Sequence, residues 1–123
     1  MNLENNYASF WLKGGILFFV YKEHVDILLS DAMAILSDRL KLQKGKAYPV
    51  LCDIRGVRSI DMDARRYLAA EGSVFIKAIA LVSDTPLSLI FSKIYVTGNT
   101  PPIPTEVHTT YDDAIRFLSG FTS

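Results

Sequence analysis

Hydrophobic positions in this chain fall into runs with two different periods. Residues 7–12 and 16–21 are rich in aromatic and β-branched side chains and flank Lys13-Gly14-Gly15. Glycine supplies the positive φ that a tight turn needs, so this pattern predicts an antiparallel hairpin. The period then changes. Leu28, Leu29, Ala32, Leu36 and Leu40 recur at helical spacing, with Asp31, Asp38, Arg39 and Lys41 left to face water. Asp26 is the expected N-cap of this helix, and Gln43-Lys44-Gly45-Lys46 is its expected end. Residues 48–54 are almost continuously apolar, which predicts a strand covered on both faces.

The second half repeats the alternation. Asp61 is the expected cap of a helix over 62–71 that turns Ala64, Tyr67 and Leu68 to one face. Gly72 either ends this helix or lies inside one that runs on through Val74 and Phe75. Residues 78–82 predict a second buried strand. Ser83-Asp84-Thr85-Pro86 opens a helix over 86–96, with proline at its first position. Pro101, Pro102 and Pro104 prevent that helix from continuing. Residues 106–109 predict a short last strand. Thr110-Tyr111-Asp112-Asp113 then reads as a capping box with Asp in place of Glu, before a helix that buries Ala114, Phe117, Leu118 and Phe121.

The expected order is β-β-α-β-α-β-α-β-α. Strands joined by single helices require parallel crossovers, and the initial hairpin sets one strand antiparallel to the rest. The expectation is an α/β fold with a mixed, mostly parallel five-stranded sheet and four helices, in a single domain over residues 1–123. Half of the residues are apolar, enough for a substantial core. Acidic and basic residues balance to a net charge of zero, which argues against a nucleic-acid binder and removes the repulsion that discourages self-association. The single cysteine, Cys52, lies in an apolar run and reads as a small buried hydrophobe. No disulfide forms within the chain, which fits a cytoplasmic location. No basic segment followed by a long apolar run opens the chain, so no secretory leader is expected. The early apolar run over 16–21 is far shorter than the ~20 residues of a spanning helix, so no transmembrane segment is expected.

Asp53-Ile54-Arg55-Gly56-Val57, then Ile60-Asp61 and Ala64, then the strand Ala78-Ile79-Ala80-Leu81-Val82, resemble the corner of STAS domains. This is the SpoIIAA-like family of bacterial anti-sigma-factor antagonists. In that family the strand ends at Asp, turns, and opens its helix with Asp-Ser-Ser-Gly. Thr100-Pro101-Pro102-Ile103-Pro104-Thr105, followed by a short strand and an acidic-capped helix, more closely resembles a group of uncharacterised bacterial STAS/SEC14-like proteins. The resemblance implies a SpoIIAA-like fold and a regulatory, protein-interaction role. It departs from the family where the phosphoacceptor serine would stand. That position is Met62, the next is Asp63, and Ser59 lies two residues before Asp61. Kinase-controlled partner switching is therefore not expected. The SEC14-like relatives imply an alternative, a carrier or sensor of a lipid or other small apolar ligand.

Two sets of residues are candidates for function. At the corner, unpaired N–H groups of a helix start meet Arg55 and Arg58 just before it and Arg65 and Arg66 one turn in. Together they suit a phosphate, a carboxylate or an acidic partner. Asp53, Asp61 and Asp63 are near enough to neutralise those arginines, which gives the competing reading of a local salt-bridge network with Asp61 as a plain N-cap. The second set lies on the apolar helix 86–96. Leu87, Ile90, Phe91 and Ile94 form a core stripe, with Leu89, Tyr95 and Val96 partly off it. Leu89, Phe91, Tyr95, Val96 and Ile103 make up the expected homodimer or apolar-ligand surface.

Nothing in the sequence anchors enzyme chemistry. His24 and His108 stand far apart with no second ligand at metal spacing. No serine sits in a Gly-x-Ser-x-Gly frame, no glutamates pair as acid and base, and no Lys-Ser/Thr follows Gly14-Gly15. The expectation is a non-enzymatic domain without cofactor or metal, with an unidentified protein partner.

Overall fold

The glycine pair makes the predicted hairpin. Gly14 and Gly15 both have positive φ, 61° and 81°, and join two strands in a two-residue turn. In the computed structural model, which describes residues 2–84, Leu89 and residues 102–122, these strands are β2 (Ala8–Lys13) and β3 (Ile16–Tyr21). They pair antiparallel from Ala8↔Tyr21 to Lys13↔Ile16. A further strand, β1 (Asn2–Glu4), pairs antiparallel with β2. On the other side of β3 lie β5 (Tyr48–Asp53), β7 (Ile76–Val82) and β8 (Thr105–His108), each parallel to its neighbour. The sheet order is β1-β2-β3-β5-β7-β8. The mostly parallel α/β architecture is as expected, but the main sheet has six strands rather than five. Asn2–Glu4 is too short and polar to announce itself as a strand.

A second correction concerns the start of the first helix. Asp26 does not cap it. Asp26 lies in β4 (Val25–Ile27), which pairs in parallel with β6 (Val57–Ile60) as a separate two-stranded sheet. Helix α1 spans Leu29–Gln43, and Asp31 reaches back from its first turn to accept from the Leu28 amide at 3.0 Å. The helix ends as predicted, with Lys44 and Gly45 at positive φ. Helix α2 spans Met62–Ala70 and closes in a 3-10 turn at Glu71–Ser73, so the chain does not stay helical through Val74 and Phe75. Helix α3 spans Tyr111–Leu118, with the Thr110 hydroxyl accepting from the Asp113 amide at 3.2 Å. α1, α2 and α3 account for three of the four expected α-helices among the described residues. The helix expected over 86–96 lies outside them apart from Leu89.

The pleat sorts the strand side chains between two layers. Leu17, Phe19, Val50, Cys52, Ile79 and Leu81 face α1 and α2 and join Ile27, Ile35 and Ala64 in one core. Ile16, Phe18, Leu51, Ala78, Ala80 and Val82 face α3 and pack with Ala114 and Leu118. Alanines on the second face let α3 lie close to the sheet. Phe10 and Phe19 meet edge-on at 4.7 Å in the larger core. The long apolar runs of β5 and β7 thus reflect cover on both faces.

One polar residue went inward against expectation. Arg39 is 3% exposed rather than solvent-facing. Its guanidinium donates to the carbonyls of Gly72 (2.9 Å) and Val74 (3.2 Å) and to the Gln43 side chain. These carbonyls lie where the α2 segment ends, the negative pole of a helix, so the buried cation meets both acceptors and a favourable dipole. Leu28 and Leu29, expected in the core, are instead 56% and 38% exposed.

Candidate functional site

The β4–β6 pair shapes the most distinctive surface. Ile27 lies opposite Ile60, and each strand runs directly into a helix, β4 into α1 and β6 into α2. The Asp61 amide donates to the Ile27 carbonyl at 3.1 Å, which ties the two helix starts together. The N-termini of α1 and α2 therefore stand side by side. Four large apolar side chains are exposed at these helix starts: Leu28 just before α1, Leu29 and Met33 from α1, and Met62 from α2. Asp31 and Asp61 satisfy backbone amides within the same platform, Asp61 by accepting from Ala64 N at 2.7 Å. Asp63 is exposed on the first turn of α2 and Arg66 one turn in.

The arginines of the corner do not converge. Arg55 turns toward the carboxyl ends of the strands. There it donates to Asp53 from Nε (2.9 Å) and Nη2 (2.7 Å) and to Asp84 from Nη1 (3.3 Å). Asp53 also accepts from the Arg55 amide at 3.0 Å and from the Tyr111 hydroxyl at 2.6 Å. The Arg55 guanidinium lies 5.4 Å from the centre of the Tyr111 ring. Burial alone would raise the Asp53 pKa, but the hydrogen bonds from Arg55 and Tyr111 outweigh it and hold the carboxyl below the usual range. Burial and the bond to Asp53 push the Tyr111 phenol up, and Asp53 raises Arg55 in turn. This locked cluster keeps its charges at neutral pH.

Arg58 goes elsewhere. It makes a two-pronged pair with Asp26, which also accepts from the Ser59 hydroxyl at 2.6 Å. These donors hold the Asp26 carboxyl down to about 2. Arg65 lines a cavity beneath the helices, and its Nε is buried without a hydrogen-bond partner among the described residues. Two of the four arginines are thus neutralised by aspartates, Arg55 by Asp53 and Asp84 and Arg58 by Asp26. Sequence reasoning missed Tyr111, Asp84 and Asp26 as partners, since they stand 58, 29 and 32 residues from the groups they bind.

Of the second set, Ile103 is partly buried against the larger core, and Leu89 is partly buried. Phe91, Tyr95 and Val96 lie outside the described residues. Cys52 is buried as expected, and desolvation pushes its thiol pKa well up. Among the described residues no group of three His, Cys, Asp or Glu side chains could hold a metal ion. None of the helices described is long and apolar enough to cross a membrane.

A family sequence profile matches residues 10–122, nearly the whole of this arrangement. The chain belongs to DUF7793, a domain family of unknown function. No curated protein matches it. Among solved structures it is similar to an uncharacterised DUF3478-family protein of SpoIIAA-like fold from Shewanella loihica PV-4. The match has a TM-score of 0.63 at 13% identity and covers 94% of this chain and 98% of that one. At that identity the likeness speaks for the fold alone, and it establishes the SpoIIAA-like architecture of this DUF7793 domain. A protein of unknown function from Arthrobacter sp. FB24 is 23% identical over 89% of this chain and 91% of that one. Its TM-score of 0.35 is too low to bear on the fold. Neither match points to the SEC14-like group in particular.

Proposed function

We propose that this DUF7793 domain is a non-enzymatic, regulatory protein-interaction module that meets its partner through the platform at the paired helix N-termini. One observation carries the reading. Leu28, Leu29, Met33 and Met62 stay exposed on a surface built by two helices and fixed by the β4–β6 pair. Scattered exposed apolar residues are ordinary, but a cluster on one rigid surface marks a contact site. Methionines suit such a site because their flexible, polarizable side chains adapt to a partner. Met62 occupies the place of a phosphoacceptor in the domains this corner resembles, so contact here is constitutive and governed by apolar burial.

The reading includes self-association and a cytoplasmic setting. A net charge of zero supports the first, and the single cysteine, which precludes a disulfide within the chain, supports the second. Sedimentation velocity at rising concentration tests self-association. The expected result is a dimer that Leu28→Lys with Met62→Lys dissociates while the thermal midpoint is kept. A wild-type monomer at every concentration removes the homodimer from the proposal.

The carrier alternative of SEC14-like type rests on Leu89, Phe91, Tyr95, Val96 and Ile103, of which Phe91, Tyr95 and Val96 lie outside the described residues, so the cavity under α1 and α2 is a separate place. A pocket for a drug-sized ligand takes about 300 Å³ or more. The cavity beneath α1 and α2 is about 80 Å³, too small for a long lipid chain.

A further inference from the structure

That small cavity has its own chemistry. It lies between the sheet and the two helices that carry the platform. Its walls are mostly apolar, with Phe19, Ile54 and Leu81 from the sheet side and Ile35 and Leu68 from the helices. Two arginines also line it. Arg39 is engaged with the Gly72 and Val74 carbonyls and with Gln43. Arg65 differs: its Nε is buried, and among the described residues nothing accepts its proton. Native structures rarely leave a buried donor unpaired, least of all on a charged group, so this N–H calls for an acceptor. The Cys52 thiol in the cavity wall stays protonated and so supplies no anion to Arg65.

We propose that this cavity is a binding site for a small monocarboxylate with a short aliphatic body. The carboxylate accepts from Arg65 Nε, and the chain fills the space among Phe19, Ile35 and Leu68. The size sets the class of ligand. At about 80 Å³ the volume is roughly half of the ~150 Å³ that admits benzene, so it suits a chain of a few carbons and neither a ring nor a fatty acid. A neutral alcohol of the same length fills the same walls but leaves the guanidinium without an anion. Because the walls come from both α1 and α2, occupancy fixes one helix against the other beneath the platform. The site rests on the cavity and on Arg65, and stands or falls separately from the interaction reading.

The test is a titration of the whole chain at neutral pH with butyrate, 1-butanol and octanoate. It is followed by the arginine Nε–Hε resonances in nitrogen-15 spectra and by calorimetry. Butyrate is expected to move the Arg65 Nε–Hε signal saturably and to bind at least tenfold more tightly than 1-butanol or octanoate. Arg65→Met should weaken butyrate at least tenfold, while Arg66→Met, which removes the exposed neighbouring charge, should leave it unchanged. No saturable shift with butyrate overturns the proposal and leaves the Arg65 donor to water. Equal binding of butyrate and 1-butanol, or of butyrate and octanoate, overturns it too, and needs no variant to fold. An equal loss in Arg65→Met and Arg66→Met reduces the effect to surface charge and likewise overturns it.

Discussion

Asp53 shows how much a single side chain can organise. It ends β5, is 3% exposed, and gathers Arg55 and Tyr111 around one carboxylate. Because its folded pKa lies below the unfolded value of about 3.9, its contribution is present in full above that value. It is lost as pH falls through the lower folded pKa. Urea melts across pH 2–7 should therefore show an acid-side loss of stability that is shallower in Asp53→Asn, and at pH 7 the variant should be weaker by about 2 kcal/mol. The aspartate's place at the strand end was legible in the sequence. Its bond to Tyr111, contributed by α3, was not, because only the folded sheet brings α3 over β5. Gly56 carries a different lesson. Its sequence context suggests a turn glycine, yet the decisive fact is a close approach: a Cβ there would sit 2.2 Å from the Lys22 carbonyl oxygen. Gly56→Ala should cost about 1–3 kcal/mol by chemical denaturation, since backbone rather than a flexible side chain must move. Gly14→Ala meets no atom within 4 Å and should cost only the strain of its positive φ.

At the scale of elements, local period predicted most of what formed. The glycine hairpin, the doubly covered strands, the Asp61 cap and the Thr110 cap all depend on residues within a few positions of one another. The failures share a cause. Asp26 looks like an N-cap, but Arg58 and Ser59, on a strand more than thirty residues further along the chain, claim it for the β4–β6 pair. Arg39 sits on a helical face that looks solvent-exposed until the end of the α2 segment presents its carbonyls. Long-range partners of this kind leave no periodic trace. The β4–β6 pair holds the two helix starts in register, and the proposed contact surface rests on it. Ile27, at the end of the pair where the helices begin, is fully buried. Ile27→Ala should lower stability by about 2–5 kcal/mol, measured by urea unfolding, and loosen the platform. Arg39→Met should also destabilise, since it strands the Gly72 and Val74 carbonyls. The expected cost is about 1–3 kcal/mol, read from the same unfolding curves.

For the whole molecule, the fold was largely readable and the exposed apolar platform was not. The corner residues lie at the carboxyl end of β5 and the start of α2, as their spacing implied. They did not reveal that Asp26, Asp53 and Asp84 would take up Arg58 and Arg55, or that four apolar side chains would remain exposed beside them. Leu28 and Leu29 fit a helical stripe and so looked like core. The β4–β6 pairing starts the helix at Leu29 and leaves them outside. The central claim is that this surface is where the domain meets its partner. The most direct measurement places a photo-crosslinking amino acid at position 62 in cells, with position 77, exposed on β7, as control. The expected result is one discrete adduct from position 62, none from position 77, and loss of the adduct when Leu28→Lys and Met33→Lys are added without a change in thermal midpoint. The same adducts from both positions, or an adduct indifferent to those lysines, would contradict it.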